Sequence, residues 1–189
     1  PRAVLSFKLD YYRGLIPPNI RANWLPWRPD TDSIAPPRTH DHAYIYPMPM
    51  LTDIEFGDNG DMILGLRDRI GDMSLYDRNR NLPAGERSGH PFGDILLARP
   101  SGERWEIDGP WPEFFNEDAG GGMNATGGFH IDTGFGGLAR VWGHDQVLNT
   151  AVSPLDIHAG GAIWFSLADG GDLRRTTLYV GNAGRTNFG

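Results

Sequence analysis

The chain contains no cysteine, which removes disulfides, thiolate nucleophiles and Cys-based zinc sites, but an exported protein with an adequate core needs no disulfide, so the redox compartment stays open. No apolar run approaches the roughly eighteen residues a membrane helix requires, and no charged-then-apolar leader is present. There is no run of Lys or Arg either. With 17 basic against 24 acidic residues the formal charge is −7, a poor surface for neutralising phosphates, so nucleic acid is not an expected partner. No segment sustains a 3.6-residue apolar period, which argues for little helix. The absence of a Gly-x-Ser-x-Gly elbow removes the commonest serine-nucleophile arrangement.

What the chain does have is turn chemistry. Its 189 residues include 26 Gly and 15 Pro, with 11% aromatics, a composition that suits one all-β domain with a core of its own. Strand, tight turn, strand units start at Asp53, Asp94 and Gly136, about forty residues apart. The first runs Asp53 to Phe56 and Met62 to Arg67 around Gly57 to Asp61. The second runs Ile95 to Arg99 and Glu103 to Ile107, and the third Gly137 to Trp142 and Gln146 to Val152. That period, with Gly, Asp and Asn at the turns, is what the blades of a β-propeller produce. The expected fold is therefore all-β and antiparallel, with β-propeller-like blades over residues 1–189.

The rest of the chain divides around these hairpins. Residues 3 to 11 alternate Val4, Ser6 and Lys8 against Leu5, Phe7 and Leu9, the pattern of a half-buried strand. Arg13 to Arg38 holds six prolines and reads as a loop in which Trp24 and Trp27 serve as anchors. Short strands are predicted at Ala43 to Tyr46 and Met73 to Tyr76 within polar, turn-rich surroundings. Leu138 to Trp142, Val147 to Val152, Ala162 to Leu167 and Leu173 to Val180 form four strands in succession, one blade's worth. A closed ring takes about four to eight blades, so the expectation is an incomplete propeller. The chain starts at Pro1 and ends on Asn187-Phe188-Gly189, and it reads as a fragment of a longer protein. The runs Ala3 to Leu9 and Leu173 to Val180 would then be unblunted sheet edges, pairing with the rest of the same polypeptide or with other subunits.

The stretch Leu51-Thr52-Asp53-Ile54-Glu55-Phe56, Gly60, Met62 to Asp72 resembles a segment of large bacterial surface proteins in which a propeller-like region precedes tandem SdrD B-like (Cna-B-type) immunoglobulin-like repeats. Val4 to Tyr11 with Trp24 to Trp27, Gly136 to Ala139, and Gly160 to Ser166 are similar to the same region, in order. The resemblance implies an extracellular or cell-surface location and a non-catalytic structural or adhesive role within a larger assembly. It assigns no catalytic residue.

Several constellations carry other chemistry. Asp77, Asn79 and Asn81 present oxygens at alternating positions, as a calcium loop does, although Leu82 stands where an EF-hand needs glycine. Asp58-Asn59-Gly60-Asp61 is better explained as a hairpin turn needing positive φ than as a calcium site. His130-Ile131-Asp132 is half of a two-His-one-carboxylate iron triad, with His144 or His158 as the distal ligand of a non-haem oxygenase and Arg174 or Arg175 to hold a cosubstrate carboxylate. His40-x-His42 lacks the following carboxylate of a cupin-like site. A carbohydrate-binding module is a further alternative, since exposed tryptophans stack on sugar rings. Trp105, Trp142 and Trp164 fall in predicted strands, however, and are expected to pack between blades.

Overall fold

The computed structural model describes residues 2–11, 13, 15–16, 20–21, 23–29, 39–40, 43–44, 46–73, 88–89, 93–108, 114–115, 134–152 and 159–180. Two minor pieces come first. Strands β1 (Leu15–Ile16) and β2 (Ile20–Arg21) form one pair, and β3 (Thr39–His40) pairs with β4 (Ala43–Tyr44). The body consists of two four-stranded antiparallel sheets. The first contains β5 (Pro49–Phe56) and β6 (Met62–Asp68), followed after a helical turn α1 (Ile70–Met73) and the short β7 (Ser88–Gly89) by β8 (Asp94–Ser101) and β9 (Arg104–Ile107). Its spatial order is β5-β6-β8-β9, and β7 pairs in parallel with β4. The second sheet is a meander of β10 (Gly134–Ala139), β11 (Gln146–Val152), β12 (Ala159–Ser166) and β13 (Asp172–Val180).

All-β, mostly antiparallel architecture with one helical turn among the described residues agrees with the sequence pattern. The forty-residue period has a different origin from the one expected. The hairpins starting near Asp53 and Asp94 are both present, but they join side by side through β6 and β8, with Ile63 opposite Leu97 and Leu64 opposite Leu96. Two successive periods thus make one sheet, and the two sheets do not close into a ring. Met73, expected to open a strand, lies in α1 instead, and the remainder of that strand, 74–76, falls outside the described residues.

Register sorts the side chains. Ile63, Ile95 and Leu97 face the second sheet and meet Leu138, Val147, Ala151, Ile163 and Phe165 there, with Phe115 between the layers. Phe115 and Phe165 lie with ring centroids 5.5 Å apart. Fully burying a side chain of this kind contributes about 1.5–3 kcal/mol. Met62, Leu64, Leu66, Leu96 and Ala98 point to the other face, onto Trp24, Leu5, Phe7, Leu9 and Tyr11. The alternation in residues 3 to 11 is real, but the segment is an extended cover on the sheet face and forms no strand. Its backbone meets the sheet where the Trp105 N–H donates to the Val4 carbonyl at 2.9 Å.

The seam between the sheets is built from glycine. Sheets that stack through side chains sit about 10 Å apart. Here β10 lies much closer, because a Cβ on Gly65 would come 2.1 Å from the Gly136 carbonyl oxygen and one on Gly93 would come 1.9 Å from that of Gly134. The register of β10 against β11 slips between Gly134 and Leu138, a bulge that leaves backbone groups needing partners. They find them in the first sheet: Thr52 Oγ1 donates to the Gly136 carbonyl at 3.0 Å, and the Leu138 N–H donates to Asp53 Oδ2 at 2.9 Å. Within β11 the Thr150 hydroxyl takes over the pairing of Gly137, accepting from its N–H at 3.1 Å and donating to its carbonyl at 3.2 Å.

Candidate functional site

Two turns from different sheets meet above this seam. The β5–β6 turn closes through the Gly57 N–H to the Asp61 carbonyl at 2.7 Å and the Gly60 N–H to the Gly57 carbonyl at 2.9 Å. Asn59 braces it, receiving the Asp61 N–H on Oδ1 at 3.1 Å and donating from Nδ2 to Asp61 Oδ2 at 2.8 Å. Gly60 has φ of 86°, so the Asn-Gly pair is the positive-φ turn that the sequence suggests. The β10–β11 turn runs through Val141, Trp142, Gly143 and His144, with the His144 N–H donating to the Val141 carbonyl at 3.1 Å.

Arg140 ties the two turns together. Its guanidinium donates to the Phe56 carbonyl and to the His144 carbonyl and pairs with Asp58 at 3.1 Å, while the Gly143 N–H donates to Asp58 Oδ2 at 2.9 Å. The Arg140 side chain is only 2% exposed, so this is a clamp rather than a free cation. Between the turns lies a cleft of about 210 Å³ lined by Asp58, Asn59, Asp61, Arg140, Gly143 and Asp145, with Leu167 and Gly57 completing the wall. Asp61 is buried and is also paired to Arg99 at 3.3 Å, and Arg99 in turn holds Asp108 at 2.9 Å. The hydrogen bond that Arg99 donates to Asp108 raises the Arg99 pKa and keeps its charge fixed.

A tryptophan packs against Arg140, one of the lining residues. Trp142 is 70% exposed, and the Arg140 guanidinium lies 5.1 Å from its ring centroid, a cation–π contact that orients the indole. The expectation that Trp142 ends a strand and packs between blades is corrected here: β10 stops at Ala139, and the turn begins before the indole. Trp105 and Trp164 are half-buried on their sheets, the former donating from Nε1 to the Gly60 carbonyl at 2.9 Å. Trp24 is buried as an anchor, but Trp27, expected to share that role, is 58% exposed despite its Nε1 bond to the Pro49 carbonyl.

A second polar centre is buried under the cover segment. The Tyr11 hydroxyl donates to Asp94 and accepts from Trp24 Nε1 at 2.9 Å, Arg13 pairs with Asp94 at 3.4 Å, and the Arg13 guanidinium stacks 3.7 Å from the Trp24 centroid. Burial, reinforced by the Asp94 carboxylate, pushes the Tyr11 pKa far above the ordinary phenol value. This cluster has no opening to solvent at Arg13, Trp24 or Asp94, all of them buried, and it works as a lock on the cover.

The metal hypotheses fall elsewhere. Asp77, Asn79 and Asn81 of the calcium loop, and His130, Asp132 and His158 of the iron triad, lie outside the described residues. His144 is described and sits exposed in the β10–β11 turn. Of the cosubstrate pair, Arg174 lies over Trp164 and Arg175 is paired with Asp172, both on β13. His40 lies in β3, while His42 is outside the described residues. Among the described residues no group of three or more His, Asp or Glu side chains is placed to hold a metal ion. No helix among them is long and apolar enough to cross a membrane. Comparison with known protein families, curated proteins and solved structures finds no match to this chain.

Proposed function

We propose that the chain is a non-catalytic structural and adhesive module of a secreted or cell-surface bacterial protein, with its stacked meanders acting as propeller-like units in a larger assembly. One observation carries this reading: β13, the last strand of the second sheet, bears large exposed apolar side chains. These are Leu173 and Leu178, the latter 77% exposed. Among the described residues β13 pairs only with β12. Such edges are templates for further strands, and natural monomers usually blunt them. Along β13 the charged side chains are Asp172, Arg174 and Arg175 near its start, and no proline interrupts it. The partner is accordingly protein, either more of the same polypeptide or another subunit.

Analytical ultracentrifugation of the chain across a concentration series tests this. The expected result is reversible self-association that Leu178→Lys weakens without unfolding the protein. A chain that stays monomeric throughout, with Leu178→Lys behaving like the parent, is the contrary result.

A further inference from the structure

We propose that Trp142 and the cleft beside it form a binding site for one uncharged pyranose ring of a glycan. This deepens the adhesive reading above and rests on it for its biological setting. A pyranose offers a flat face of C–H groups and a rim of hydroxyls, so it is recognised by an accessible aromatic plane beside planar polar groups. Both are present within one turn. The indole of Trp142 is exposed and held in place by Arg140 at 5.1 Å, and Arg140 and Gly143, flanking that indole, are themselves part of the cleft wall.

Size and charge narrow the ligand. Pockets for drug-sized molecules run to about 300–1,000 Å³, whereas this cleft holds about 210 Å³, room for one ring rather than a nucleotide or a peptide. Asp58, Asp61 and Asp145 line it against the single guanidinium of Arg140, so uronic or sialic acids meet like charge and are disfavoured. The roles divide cleanly among the lining groups. Asp58 and Asp61 are committed to Arg140 and Arg99, and Asn59 braces its own turn. Asp145, exposed, is the carboxylate left to accept from sugar hydroxyls, with its backbone fixed by the Leu167 N–H donating to its carbonyl at 3.2 Å. Trp27 supplies an internal control: it is exposed and lies 5.1 Å from Arg69, but Arg69 is not part of this cleft wall as Arg140 is.

The test is to titrate the ¹⁵N-labelled chain with β-linked tetramers of glucose, N-acetylglucosamine and galactose, and with a tetramer of galacturonic acid, following the indole N–H resonances. At least one neutral tetramer is expected to move the Trp142 signal saturably and leave that of Trp27 in place. Trp142→Ala and Asp145→Ala each weaken binding about tenfold or more, while Trp27→Ala does not. The site is overturned if no neutral tetramer moves Trp142 at about 10 mM, if Trp142→Ala binds as well as the parent, or if the acidic tetramer binds most tightly. Sedimentation of the same samples separates the two proposals. A chain that self-associates but ignores sugars overturns the site alone; a monomer that binds them overturns the assembly reading and keeps the site.

Discussion

The two sheets have the same strand number and the same antiparallel order, yet they are written in different sequence codes. In the first, Met62-Ile63-Leu64 and Ile95-Leu96-Leu97-Ala98 are buried without alternation, because one face meets the second sheet and the other meets the cover formed by residues 5 to 11 and Trp24. In the second, β11 alternates buried Val147, Asn149 and Ala151 with half-buried Leu148 and Thr150, the signature of a sheet with one face on the core. Both faces of β6 and β8 are covered, whereas β11 buries one face only, and the neighbouring β12 buries Gly161, Ala162 and Ile163 in succession. The difference also separates stability from interaction. The first sheet is held from both sides, and the second carries the exposed edge β13 and the turn that displays Trp142.

The comparison breaks most sharply at the seam. Gly65→Ala would drive a methyl group into the Gly136 carbonyl at 2.1 Å, where the obstacle is backbone and cannot rotate away. Overpacking typically costs about 1–3 kcal/mol, and the rigid backbone obstacle puts this case at the upper end, so urea denaturation is expected to show a large fall in midpoint, with parting of the sheets read as a changed slope. A Gly65→Ala protein as stable as the parent would mean that the sheets do not meet through glycine.

The cover is tested next, through Tyr11. In the native state its proton is held well above the ordinary pKa, whereas the unfolded phenol releases it near pH 10. Below about pH 10 both states keep the proton and the residue adds no pH dependence. Above it the unfolded state binds fewer protons, so stability falls with rising pH, by up to about 1.4 kcal/mol per pH unit. Tyr11→Phe is expected to remove that alkaline slope. It also costs about 2 kcal/mol at neutral pH, because Asp94 and Trp24 Nε1 each lose a partner. An unchanged alkaline slope in chemical denaturation at pH 10 to 11 would show that the cover is not closed over Tyr11.

The smallest effect has the opposite sign. Asn149 is fully buried on the inner face of β11, and neither its Oδ1 nor its Nδ2 has a hydrogen-bond partner among the described residues. Leaving an amide so costs about 1–3 kcal/mol, and Leu has nearly its shape. Asn149→Leu is therefore expected to stabilise the protein by about 1 kcal/mol, read as a raised thermal midpoint. A lowered midpoint would reveal a polar partner for the amide.

The sequence carries the hairpins plainly, because their signals are local: Asn59-Gly60, Ser101-Gly102 and Gly143 mark turns between runs of the right length. How hairpins combine is a non-local matter. Nothing near Asp53 or Asp94 says that β6 will pair with β8 across the intervening chain, so the local pattern alone does not distinguish one shared sheet from two. The strand pattern through Leu138 carries on to Trp142 by composition alone, while the strand ends at Ala139 and the backbone turns between Val141 and His144. The cleft was illegible for the same reason: Asp58 and Gly143 stand 85 residues apart in sequence and touch only because the sheets stack. A signal was available in the glycines Gly134 and Gly136, two apart on one face of a strand, which point to close approach of another backbone.

Hydrogen exchange along β13, compared with β11, tests the central claim of assembly through a free edge most directly. The account predicts that amides of Leu173 to Val180 exchange slowly in concentrated, associated protein and become faster on dilution to monomer, while those of Gln146 to Val152, flanked on both sides by β10 and β12, stay protected at every concentration. Exchange along β13 that is fast and independent of concentration, in a protein that remains folded, would contradict it.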